Sequence, residues 1–196
     1  MRMPFAPFLL IFLAGVAATA QSPAMQSAPM APAMAASAFT TDAASQVLAG
    51  DACAAGNGTM RTSRQLAEDY RQAAAWYRKA AEQKSVTGQV RLAELYRDGK
   101  GVTRDAAQAA AWYRKAAEQG DAGAQGALGL LYSLGQGVPQ SDVEAYYWLD
   151  IAASAKGPRQ EQYAANRQVV GTKITADELA EVQDRVEAWL AAHPHP

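Results

Sequence analysis

Apolar residues recur along this chain at helical spacing, and the spacing itself repeats. Ala109, Trp112, Tyr113, Ala116, Ala117 and Gly120 stand at i, i+3, i+4, i+7, i+8 and i+11, which is one stripe of an α-helix. The stripe occurs 36 residues earlier as Ala73, Trp76, Tyr77, Ala80 and Ala81, and 36 later as Ala145, Trp148, Leu149, Ala152 and Ala153. The nine-residue block Ala75 to Gln83 returns unchanged as Ala111 to Gln119. A shorter pattern precedes each stripe: Gly88, Leu92, Leu95, Tyr96, then Ala124, Leu128, Leu131, Tyr132. Gly-x-Gly-Val joins the two patterns at Gly99–Val102 and again at Gly135–Val138. Two independent blocks with one period predict tandem helix–turn–helix units.

Local signals place the ends of these helices. Asp69, Asp105 and Ser141 stand where a side-chain oxygen caps a first turn, and Gly120 and Gly157 suit a left-handed residue after the last turn. One unit cannot bury its stripe alone, so neighbours must stack into an all-α solenoid. The expected repeat core is Trp76, Leu92, Tyr96, Trp112, Tyr113, Leu128, Tyr132 and Trp148, with the indoles filling the space between units. A degenerate first unit aligns Cys53 with Tyr96, and seven extra residues, Arg61 and Arg64 among them, are expected as a longer loop. In that buried slot Cys53 reads as a packed thiol, with a reactive or dimer-forming thiol as the alternative. At the other end Thr175 and Glu178 have capping-box spacing, with Ile174 and Leu179 as a hydrophobic staple. Leu179, Val182, Val186 and Trp189 then form one face opposite Glu181, Asp184 and Arg185, which predicts a C-terminal capping helix.

The chain divides accordingly. Residues 1–20 read as a secretory signal: Arg2, an apolar run from Phe8, and the small-residue pattern Ala18-Thr19-Ala20. The run is shorter than the ~20 residues a bilayer-spanning helix needs, although an uncleaved anchor is the alternative. Residues 21–41, rich in Ala, Pro and Met, read as a disordered linker. Repeats are expected at 42–84, 85–120 and 121–157, followed by capping helices and tail at 158–196. A cleaved signal implies a bacterial periplasmic or secreted protein without stable membrane insertion.

Composition narrows the chemistry. Alanine makes up about a quarter of the 196 residues, which favours helix. The 18 basic and 19 acidic residues argue against a nucleic-acid binder, and the aromatic residues sit at core spacing, not on a stacking platform. A single cysteine excludes a disulfide framework, and the histidines, His193 and His195, stand in a Pro-flanked tail. Nucleophile-elbow, zincin and phosphate-loop motifs are absent. No catalytic residue, metal or cofactor is expected. Residues 61–119 hold 12 basic and 7 acidic side chains, and residues 120–196 hold 5 and 10. That polarity is compatible with weak self-association, or with ordinary solvated helix faces.

Leu128-Gly129-Leu130-Leu131-Tyr132, Gly135-Gln136-Gly137-Val138 and Ala109 through Glu118 resemble the Sel-one-like repeat family, relatives of the tetratricopeptide repeats. The resemblance implies a right-handed superhelix of α-hairpins that acts as a protein–protein interaction scaffold or assembly adaptor. It also implies a concave side lined by first helices. On that side the stripe beside the core is Val90, Glu94 and Arg97, then Gly126, Leu130 and Ser133, expected as the groove floor for a protein or peptide. Some cysteine-rich exported members have been linked to β-lactam binding, but this chain lacks their paired cysteines. A self-assembling envelope protein is the other alternative.

Overall fold

The computed structural model describes residues 42–55 and 62–193. The expected signal and linker, Arg61 and His195 lie outside the described residues. Those residues form eight helices and no strand: α1 (Ala43–Ala55), α2 (Ser63–Glu82), α3 (Val86–Asp98), α4 (Ala106–Glu118), α5 (Ala122–Leu134), α6 (Asp142–Ser154), α7 (Gln160–Gly171) and α8 (Ala176–Ala192). Each helix from α1 to α7 packs on its neighbour in the chain, and α8 lies on α6. This is the all-α solenoid expected from the 36-residue period.

The period is visible in the caps. Ser85 and Asp121 accept from the amides of Gly88 and Ala124, opening α3 and α5. Asp105 and Ser141 do the same for α4 and α6, with the amides of Gln108 and Glu144 as donors. Each cap satisfies a first-turn amide that the helix itself leaves unpaired.

Asp69, however, is no cap. It lies inside α2, which has 20 residues where α4 and α6 have 13. The seven extra residues are therefore two further helical turns and not a loop. Thr62 and Gln65 close a full capping box, with the Thr62 amide donating to Gln65 Oε1 at 2.9 Å. That reciprocal pair starts the helix early, and the helix-forming run Arg64–Glu68 carries it forward.

The turns dock each repeat onto the previous one. Gly101 and Gly137 have φ of 68° and 73°, and both touch backbone. A Cβ on Gly101 would lie 2.2 Å from the carbonyl carbon of Tyr70 in α2, and one on Gly137 would lie 2.1 Å from the Ala106 oxygen in α4. No side chain fits there. Gly120 takes the expected left-handed conformation (φ 91°), whereas Gly157 does not: α6 ends in the extended residue Ala155. At the position equivalent to Gly120, the first repeat places Lys84 with φ 63°.

Alanine columns run along the seam. Ala73, Ala80, Ala109, Ala116 and Ala145 are wholly buried, so adjacent helices approach closely. The indoles do not share one environment. Trp148 is buried, but Trp76 and Trp112 are only half-buried, each with a lysine ammonium over its ring, Lys79 at 4.4 Å and Lys115 at 3.8 Å. The deep aromatic position is the next residue, occupied by Tyr77 and Tyr113 and by Leu149 in the third repeat. Leu92, Leu128 and Tyr132 are buried, while Tyr96 is half-buried. Two apolar clusters result, one built on the first repeat and one running from Ala93 to Val186, and Tyr96 and Trp112 pack against both.

Polar ties repeat with the helices. Arg78 on α2 donates to the Tyr96 hydroxyl of α3 at 2.7 Å, and Arg114 on α4 donates to the Tyr132 hydroxyl of α5. The third junction keeps the tie with different chemistry: Arg167 of α7 donates to Asp150 of α6. A second ladder is half-buried, its acceptors inside and its donors at the surface. Gln83 donates to Gln46 Oε1 (3.1 Å) and Gln119 to Gln89 Oε1 (2.7 Å). In the third repeat Ala155 replaces the donor, and Gln125 Oε1 is left buried without a partner. The C-terminal helix buries Val182 and Val186, and Thr175 and Glu178 form the expected capping box. Arg185, expected on the free polar face, instead crosses to Glu144 of α6 at 2.8 Å and covers the Tyr147 ring.

Three substitutions test this packing in urea titrations. Trp148→Ala is expected to cost ~3–5 kcal/mol and Trp112→Ala roughly half as much, because its indole starts half-exposed. Lys84→Gly should raise stability by about 0.5–1 kcal/mol, since glycine adopts the left-handed conformation without the Cβ penalty.

Candidate functional site

An open cleft of about 540 Å³ lies between α1, α2 and α3. Its polar lining comes from Asp51 of α1, from Arg91, Glu94, Arg97 and Asp98 of α3, and from Lys100 in the following turn; Ala54, Ala55, Leu95 and the Tyr70 and Tyr77 rings supply apolar surface. Glycine makes one side possible. A Cβ on Gly50 would lie 2.4 Å from the Tyr77 ring, so the bare α1 backbone lets the phenol lie against it. From there the Tyr77 hydroxyl donates to Asp51 Oδ1 at 2.7 Å.

The charges of the cleft neutralise one another. Arg91 pairs with Asp51 (3.5 Å) and Glu94 (3.2 Å), Arg97 with Asp98 (2.8 Å), and Lys100 with Asp98 (3.0 Å). Arg97 also donates to the Tyr113 hydroxyl at 3.2 Å, tying the cleft to α4. Burial pushes the Tyr113 phenol up to about 12, and raises Tyr77 further with help from Asp51, so both hydroxyls keep their protons at neutral pH. The Arg97 guanidinium holds the Asp98 carboxyl below the usual carboxylate range; burial opposes the shift and Lys100 adds to it. The cleft is a self-compensated polar surface around a small apolar floor.

Of the expected groove residues, Glu94 and Arg97 meet in this cleft. Val90 does not: it is half-buried and packs against the larger apolar cluster. Gly126 is buried, because the Tyr163 ring of α7 occupies the space above it; a Cβ there would lie 2.1 Å from the ring. Leu130 is exposed on α5, and Ser133 is half-buried with its carbonyl accepting from Gln140. Asp51, Tyr77, Arg91, Asp98 and Lys100 were not among the expected residues. Once the seven extra residues are allowed for, Asp51 aligns with Glu94 and Leu130, so the register itself marks it. Cys53 is buried in the first apolar cluster. Among the described residues no three His, Cys, Asp or Glu side chains gather as a metal site, and no helix is long and apolar enough to cross a membrane.

The Asp98 pairs predict a pH dependence of definite sign. A carboxyl held below its unfolded value contributes stability above that value and loses it as pH falls through the folded one. Between roughly pH 5 and 3 the urea midpoint of the parent should therefore fall more steeply than that of Asp98→Asn.

The repeats have counterparts elsewhere. Residues 43–85, 86–121 and 122–156 each match the Sel1 repeat. Among solved structures the chain is similar to a protective antigen of uropathogenic Escherichia coli that displays an SLR fold, at 26% identity over 76% of this chain and 38% of that one, with a TM-score of 0.59. It is similar also to a Sel1 repeat protein from Oxalobacter formigenes, at 31% identity over 65% of this chain and 47% of that one, with a TM-score of 0.56. The chain spans less than half the length of either structure. No curated protein matches it. Sel1 repeat proteins are generally non-catalytic scaffolds for protein–protein interaction. With three matched repeats covering more than half of its residues, this chain belongs to the Sel1 repeat family.

Proposed function

We propose that this protein is an exported, non-catalytic adaptor that holds a protein or peptide segment in the cleft formed by α1, α2 and α3. The observation that carries the reading is the cleft itself: six charged side chains joined by mutual pairing around an apolar floor between two first helices and the second helix α2. Groups already oriented lose little freedom when a partner docks, so a modest contact area suffices. Because the charges are compensated, binding depends on fit and hydrogen bonding more than on long-range attraction. Export rests on residues 1–20, and cleavage after Ala20 places the protein in the periplasm or outside the cell.

A photo-crosslinking residue at Glu94, Arg97 or Lys100 should give one discrete protein adduct in the native compartment, and the same residue at Glu181 on α8 should give none. Glu94→Gln with Arg97→Gln should abolish that adduct from Lys100 while shifting the thermal midpoint little. Equal labelling from α8 would overturn the assignment, and a mature protein that does not begin at Gln21 would overturn the export step.

A further inference from the structure

A second cavity, about 520 Å³, opens at the junction of α2, α3 and α4. We propose that it binds a small zwitterion, a free amino acid or short peptide that carries both an ammonium and a carboxylate. The half-buried Trp112 indole forms one wall, with the Lys115 ammonium 3.8 Å above its ring centre. Glu82 and Lys84 stand at the end of α2, Glu118 and Gln119 at the end of α4.

The charges here behave differently from those of the first cleft. Among the described residues neither Glu82, Lys84, Lys115 nor Glu118 forms an ion pair, although both signs converge on one cavity. None of the four is committed to an opposite charge, Lys115 being held by the Trp112 ring alone, and a ligand with one charge of each sign can pair with both kinds at once. Its apolar part would meet Ala81 and Trp112 in the cavity lining, and the ammonium end is favoured beside the negative ends of α2 and α4. The base of the cavity is ordered: Gln119 donates to Gln89 Oε1 at 2.7 Å, and Gln89 donates to the Ala81 carbonyl at 3.4 Å. The volume suits a ligand of dipeptide size.

The solenoid completes this site at one junction. In the third repeat Ile151, Ser154 and Ala155 replace Lys115, Glu118 and Gln119, and Trp148 is buried. The first repeat has Trp76, Lys79, Glu82 and Gln83, but no described helix pair precedes it to supply the other half. The site is independent of the groove, and either can fail without the other.

The test is a titration of the full chain with L-alanyl-L-alanine, its N-acetyl form and its C-terminal amide. The readout is the Trp112 indole N–H resonance, assigned by its loss in Trp112→Phe. The parent dipeptide should shift that resonance saturably, and each blocked form should bind ~10-fold more weakly, the loss of one charge-assisted contact. Lys115→Met should weaken the parent and the N-acetyl form but not the amide, and Glu118→Gln should weaken the parent and the amide but not the N-acetyl form. Absence of a saturable shift, or equal affinity for all three ligands, would overturn the proposal.

Discussion

Close backbone approach at Gly101 and Gly137 sets the geometry on which the rest of this protein depends. Each glycine seats the turn of one hairpin directly on the second helix before it, Gly137 on the opening turn of α4 and Gly101 on Tyr70 about two turns inside α2, where even a methyl group would collide with main-chain atoms. A turn docked that tightly leaves little freedom in how far one repeat rotates on the next. The fully buried alanines then bring the helices together along the same seam. Where large side chains appear, they fill space that this register has already defined.

Polar contacts refine the register. The Arg78–Tyr96 and Arg114–Tyr132 ties recur at the period of the repeat, and Asp150–Arg167 keeps the same link after both partners have changed type. The third tie thus joins α6 to α7 although the sequence of α7 no longer carries the repeat pattern. The glutamine ladder behaves otherwise: it breaks at Ala155 and leaves Gln125 Oε1 buried and unsatisfied. A lost buried partner leaves the desolvation of the remaining group uncompensated, so the third repeat carries a local weakness that the first two lack.

Much of this architecture was legible in the sequence, because period, caps and turn glycines are local signals. The helices α3 to α6 follow directly from the 36-residue spacing, and the C-terminal capping box from Thr175 and Glu178. The depth of the aromatic residues was not legible. A Trp-Tyr pair on a helical stripe does not say which ring points inward; in the structure Tyr77, Tyr113 and Leu149 take the deep position. The insertion before α2 was misread as loop because alignment to a repeat treats extra residues as unstructured, although Thr62 and Gln65 already had capping-box spacing. The site suffered from the same insertion. It shifts Asp51 out of simple register with Glu94, and no period could show that Tyr163 would cover Gly126.

Nearly all packing in this solenoid joins helices that are adjacent in the chain, with α8 on α6 the main exception. Loop closure is therefore short from α1 to α7, and structure can spread outward from whichever hairpin forms first.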